Sequence, residues 1–245
     1  MRNAVTIETI LREKIATCTR IFAMQELMGL FGHISAYDPA TQRVYMSPSM
    51  GVEKSIVQED DVLVGDLKGA VIEGSQRLPI EWPIHTVLHG RRSDALAIAH
   101  LHSPYSTLFS ISDRKFRPVT LQGAIFDDGV PLYSEPRLVR SISQGEDLAD
   151  VMGDRSAVFM RGHGVVIVAR DVEQMLYSAL ILEDEARKSV DAACLGSFHC
   201  LDHHECAAFD GKAELGARSQ RAWKYFGQLE SRWDKNPGTG RVAFV

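Results

Sequence analysis

The chain has 245 residues, 45% hydrophobic and 24% charged, with a formal net charge of −5. That balance describes a globular protein with a sizeable core. It argues against a nucleic-acid surface, because no Lys/Arg block offsets the acidic excess, and no apolar run reaches the roughly 18 residues that span a bilayer. The four cysteines, Cys18, Cys194, Cys200 and Cys206, make no disulfide framework, and MRNAVTIETILREKIATCTR lacks a signal-peptide h-region. A cytoplasmic protein, with neither nucleic-acid nor membrane partner, is expected.

Apolar residues between Ile7 and Met28 recur at helical spacing, which predicts a helix over 5–29, stopped by Gly29 and Gly32. HISAYDPATQRVYMSPS reads as a hairpin turning at Asp38-Pro39, and VLVGDLKGAVIEG as a second one around Asp66-Leu67-Lys68-Gly69. Pro83 suits the first turn of a helix that ends near Gly90. ALAIAHLH is a buried strand, SPYSTLFSISD a short helix, and PVTLQGAIFDDGVPLY two short strands. Residues 141–152 form an amphipathic helix, and SAVFMRGHGVVIVA two apolar strands hinged on Arg161-Gly-His-Gly164. Asp171 caps a long helix through about Val190, with Glu173 in its first turn and Arg187 and Lys188 near its end. NPGTGRVAFV is an ordered or half-ordered tail. Helices interleaved among hairpins predict a layered α/β domain with a partly antiparallel sheet.

Chemistry concentrates in histidine. His100 and His102 sit two apart on a strand, so both rings project to one face, where they suit either metal ligation or core packing. His163 lies between two glycines, which permit a tight turn and let its ring face a site. Glu81 precedes a helix, as its cap or as a desolvated acid/base. His85 and His89 follow it at i+4 and i+8, as an HxxxH metal pair or as a half-exposed helix face. The stretch His199-Cys-Leu-Asp-His-His-Glu-Cys206 is rich in soft ligands but matches no zinc-knuckle spacing, and reads as a surface loop.

A glutamate opening a helix, then His-x-His on the next strand, then a Gly-flanked histidine before a long helix resembles the class II aldolase/adducin family. The resemblance runs from about Leu11 to Ala193 and is carried by Gly32-His-Ile-Ser35, Ser47-Pro-Ser49, Glu81-Trp82, His100-Leu-His102 and Arg161-Gly-His-Gly164. It implies a three-layer α/β/α sandwich with a mixed, largely antiparallel central sheet. One domain would span 1–245, with a C-terminal helical extension from about 194. It further implies a homotetramer with active sites at subunit interfaces, and His100, His102 and His163 as ligands of one divalent ion per subunit, with Zn, Mn, Co and Fe not distinguished. Glu81 falls on the family's acid/base glutamate.

Two departures bear on the substrate. His33 stands where the sugar-phosphate aldolases of this family have Asn, and Pro79-Ile80 replace their Ser-Ser pair before the glutamate. Phosphate needs several donors, and these residues remove them. LPIEWP and HLHSPY look closer to the branch of metal-dependent decarboxylases. The expected activity is that of a divalent-metal-dependent carbon–carbon lyase, a decarboxylase of a hydroxylated aromatic or heteroaromatic dicarboxylate. In that role Glu81, His33 and Tyr133 move protons, while Ser47, Ser49, Arg161 and Tyr225 hold the small carboxylated substrate. The alternatives are an aldolase or epimerase on a sugar derivative, a non-heme Fe(II) oxygenase on an aromatic acid, and a non-catalytic adducin-like binding module.

Overall fold

The structure is a computed structural model, which describes residues 6–48, 51–74, 77–209 and 211–233. Ser49 and the whole expected tail, residues 236–245, lie outside the described residues. Eight strands form one sheet: β1 (His33–Asp38), β2 (Arg43–Met46), β3 (Leu63–Gly65), β4 (Val71–Glu73), β5 (Ala97–Leu101), β6 (Leu132–Tyr133), β7 (Ala157–Met160) and β8 (Gly164–Ala169). Their spatial order is β4-β3-β2-β1-β5-β8-β7-β6. Every neighbouring pair is antiparallel except β6 and β7.

The period-2 alternation of the central strands builds two cores. Ala97, Ala99 and Leu101 of β5, with Val165 and Ile167 of β8, face a layer made by α1 (Ile7–Met24), α3 (Pro104–Ser110), α5 (Val172–Cys194) and α7 (Leu215–Trp233). Ile98, Val158, Val166 and Val168 face the opposite way, against α2 (Trp82–Arg91) and α4 (Ile142–Met152). The result is a three-layer α/β/α sandwich with a mixed, largely antiparallel sheet. Each fully buried Leu or Ile contributes about 1.5–3 kcal/mol, so both layers are firmly held.

Local chemistry fixes the ends. Thr6 caps α1, and the Ser141 hydroxyl with the Gln144 side chain forms a capping box on α4. Asp171 caps α5, which runs one turn past the expected end, to Cys194. α1 ends at Met24, earlier than periodicity predicts, because Glu26 adopts a left-handed φ of 60°. Gly32, at φ 98°, then turns the chain into β1.

One prediction fails. Of the two strands expected in PVTLQGAIFDDGVPLY only Leu132–Tyr133 forms, and Leu121–Phe126 is a 3₁₀ helix. The cause is a buried carboxylate on α5. Glu185 accepts from the amides of Val119 (2.7 Å) and Thr120 (3.1 Å), and from the Thr120 hydroxyl. A Cβ on Gly123 would collide with the same carboxylate. These amides are satisfied by a side chain instead of a strand neighbour. A second buried α5 carboxylate, Glu183, accepts from the amides of Tyr105 and Ser106 and from the Ser106 hydroxyl. It thereby ties down the start of α3.

α6 (His203–Ala208) and α7 follow α5. Phe226 of α7 joins the core beneath α1 and α5. All four cysteines are free thiols, and none of the described helices is long and apolar enough to cross a membrane.

Candidate metal centre

The site lies on the α2/α4 face, where β5 ends. His33 on β1 pairs in register with His100 on β5, and His100 with Val166 on β8. Period 2 then sends His102 the same way as His100, just past the strand end. Gly164 opens β8 directly against the Leu101 carbonyl, where any Cβ would collide. This contact locks the turn carrying His163 beside the end of β5.

Glu81, His100, His102 and His163 each offer one ligand atom, and these atoms all lie within 4.8 Å of one another. Nε2 of His100 and Nε2 of His163 stand 3.3 and 3.4 Å from Glu81 Oε2, and Nε2 of His102 lies 3.1 Å from Nε2 of His100. The His163 ring stands edge-on to both other rings, at 4.8 and 4.7 Å between centroids. Outer contacts aim two of these side chains. His100 Nδ1 donates to the Val165 carbonyl at 3.2 Å, which leaves a lone pair on Nε2. Glu81 Oε1 accepts from the Val139 amide at 2.9 Å, which turns Oε2 toward the imidazoles. Glu81 occupies the cap position of α2, but its carboxylate makes no cap hydrogen bond. Of its two sequence readings, the cap is therefore excluded.

The donor set fits a divalent cation. Both ring nitrogens of His163 are buried without a hydrogen-bond partner among the described residues, a costly arrangement unless an ion takes a lone pair. Burial, reinforced by the His100 and His163 rings, pulls His102 down to about 3, so it is neutral and free to ligate at neutral pH. Burial opposes ionisation of Glu81, but the His100 and His163 imidazoles beside Oε2 outweigh it and hold the carboxyl well below the usual range.

Beside the cluster is a cavity of about 420 Å³, a volume usual for small-molecule sites, lined by Phe31, Gly32, His33, Pro79, Ile80, Glu81, His102, Leu138, Gly162 and His163. Phe31 stacks on His102 at 5.6 Å. Phe31 and Ile80 remain 58% and 52% exposed, and so form its mouth.

His85 and His89 are neither an exposed helix face nor part of the ion cluster. They are 0% and 4% exposed and hydrogen-bonded in series. His33 Nδ1 meets His85 Nε2 at 2.7 Å, and His85 Nδ1 meets the Ser35 hydroxyl at 2.6 Å. That hydroxyl meets His89 Nε2 at 2.8 Å, and His89 Nδ1 meets the Ala95 carbonyl at 2.5 Å. Burial pushes His33 and His85 well below the usual imidazole value and brings His89 to about 4.

Other expected residues sit elsewhere. The buried Ser47 hydroxyl accepts from the Ile34 amide and ties β2 to β1. Tyr133 packs with Ile84 and Val139 in the second core, its buried hydroxyl without a partner among the described residues, and it does not line the cavity. Arg161 is exposed, and its amide donates to the Tyr133 carbonyl. Tyr225, half-exposed on α7, belongs to the opposite layer and stands edge-on to Phe226. The His199–Cys206 stretch brings no ligand group together among the described residues; its Asp202 and Glu205 cap α6. Sequence reasoning missed Phe31 and Leu138 as cavity walls, and Ser35 and His89 as partners of the site. Ser35 left a signal, being two residues after His33 on one strand face, and His89 left one in its HxxxH spacing, which read as a metal pair or an exposed face.

Residues 13–190 match the Class II Aldolase and Adducin N-terminal domain, and the chain belongs to that family. It is 31% identical to the 3,4-dihydroxyphthalate decarboxylase of Arthrobacter keyseri, over 91% of this chain and 95% of that one. It is 30% identical to the enzyme of that name from Rhodococcus jostii strain RHA1, over 84% and 89%. Among solved structures, the L-fuculose 1-phosphate aldolase of Glaciozyma antarctica PI12 superposes with a TM-score of 0.82 at 20% identity, covering 96% of this chain and 95% of that one, a likeness of fold.

Proposed function

We propose that this protein is a divalent-metal-dependent decarboxylase of a hydroxylated aromatic dicarboxylate of the 3,4-dihydroxyphthalate kind. The observation that carries the reading is the cavity wall beside the Glu/His cluster. Phe31, Pro79, Ile80 and Leu138 offer an apolar wall and no side-chain donor for a phosphate. The two decarboxylase relatives support the same choice.

His100, His102 and His163 would hold the ion, with Glu81 Oε2 at its edge. The bound cation supplies Lewis-acid stabilisation of negative charge that develops on the ring. Loss of CO₂ breaks the bond between ring and carboxylate and leaves the electron pair on a ring carbon. Glu81 enters as a carboxylate, takes the proton of a substrate hydroxyl, and returns it to that carbon. The apolar walls exclude water and hold the ring against the cluster. Exposed Arg161 and Tyr225 do not face this chain's own cavity, and would contact substrate from a neighbouring copy in a homotetramer.

The test supplies 3,4-dihydroxyphthalate and L-fuculose 1-phosphate in parallel to wild type and His102→Ala, with bound metal, CO₂ and O₂ uptake followed. Metal-dependent CO₂ release without O₂ uptake is expected from wild type alone. Cleavage of the sugar phosphate, or full metal occupancy with normal turnover in His102→Ala, overturns the reading.

A further inference from the structure

Three buried histidines contribute nothing to the ion cluster, yet they are hydrogen-bonded from the cavity wall inward. The direction of each bond follows from the last one. The Ala95 carbonyl has only lone pairs, so His89 Nδ1 carries the hydrogen that joins them. His89 is buried with no carboxylate hydrogen-bonded to it, so the ring is neutral and its Nε2 is an acceptor. Ser35 must then donate its single hydrogen to His89. Having none left, Ser35 accepts from His85 Nδ1. His85 Nε2 is thereby bare and accepts from His33 Nδ1. The series terminates at His33 Nε2, which makes no hydrogen bond among the described residues, on a ring that lines the cavity.

We propose that Ser35, His85 and His89 are positioning residues that hold the hydrogen of His33 on Nδ1, so that Nε2 meets the ligand as a hydrogen-bond acceptor. A neutral ring in this state favours a hydroxyl, which has a hydrogen to give, and repels the lone pairs of a phosphate or carboxylate oxygen. An amide side chain at the same place would offer donors as well. The relay thus selects a hydroxylated ring, a conclusion that rests on the decarboxylase reading for what occupies the cavity.

The decisive measurement needs no variant and no turnover. A long-range ¹H–¹⁵N correlation spectrum of the ¹⁵N-labelled, zinc-loaded full chain reads which nitrogen of each imidazole carries hydrogen. The expected result is hydrogen on Nδ1 of His33, His85 and His89, with Nε2 bare; hydrogen on Nε2 of His33 overturns the relay. In Ser35→Ala the His33 hydrogen should redistribute between its two nitrogens at unchanged zinc content. kcat/KM for 3,4-dihydroxyphthalate should fall about tenfold, mainly through KM. Ser35→Thr, which keeps the hydroxyl, should restore both. An unaltered His33 hydrogen and an unaltered KM in Ser35→Ala overturn the proposal. A chain that releases no CO₂ overturns the decarboxylase reading instead, while the spectrum still decides the relay.

Discussion

Two groups of three histidines lie side by side on one face of the sheet, and their nitrogens are treated in opposite ways. In the His33/His85/His89 group each bond is matched to a donor or acceptor, so the imidazoles behave as structural polar links through the α2 layer. In the His100/His102/His163 group the lone pairs converge with a carboxylate, and neither ring nitrogen of His163 has a hydrogen-bond partner among the described residues. Neighbouring imidazoles on one face therefore have unequal consequences. A satisfied buried imidazole adds stability and specificity, whereas a convergent set trades stability for the capacity to bind a cation.

The largest expected break in that comparison comes from His163→Ala. It should abolish tight divalent-metal binding and lower kcat roughly 10³-fold. Metal analysis of the purified variant and a CO₂ assay check this, and thermal stability without metal should change little. Next, Glu81→Gln should lower kcat roughly 10²–10⁴-fold by removing the proton carrier. The three imidazoles should still hold metal, so the loss appears in turnover at near-normal metal stoichiometry.

The other group should fail differently. His89→Leu leaves the Ser35 hydroxyl short of a partner and the Ala95 carbonyl unpaired, at a cost of about 1–3 kcal/mol in urea unfolding. Metal content of the folded fraction should stay normal. The most gradual effect concerns pH. The His89 pKa is about 4 in the fold, against an ordinary 6.5. Between these values the unfolded chain binds a proton that the native ring refuses, so this stability is complete above about 6.5. It is lost as pH falls toward 4, by at most about 1.4 kcal/mol per pH unit. Metal-free wild type should therefore lose stability more steeply over that window than His89→Gln.

His-x-His at a strand end told locally only that two rings share a face; the grouping of His163 and Glu81 with them came from the family resemblance, and the structure does bring the four side chains together. The relay was not legible in the chain. His85 and His89 read as a half-exposed face because burial of two imidazoles makes sense only once Ser35 and the Ala95 carbonyl stand opposite them, and those come from other elements. A layered α/β domain, both hairpins and the helix from 142 to 152 followed from period and turn residues, and the three-layer sandwich from the family resemblance. The 118–126 segment did not: its apolar residues look strand-like, and the carboxylate that bends them sits more than sixty residues later, at Glu185. Acidic residues in the middle of a long helix look like a solvated face until their partners are known.

Glu183 has a reach that its place beneath the sheet conceals. By clasping the first amides of α3, it fixes the backbone at Tyr105 and Ser106, three and four residues after His102. A helix on the far side of the sheet thus keeps the tether on one arm of the ion cage. Slackening that tether with Glu183→Gln should weaken the cage's hold on its cation without altering any atom that touches it.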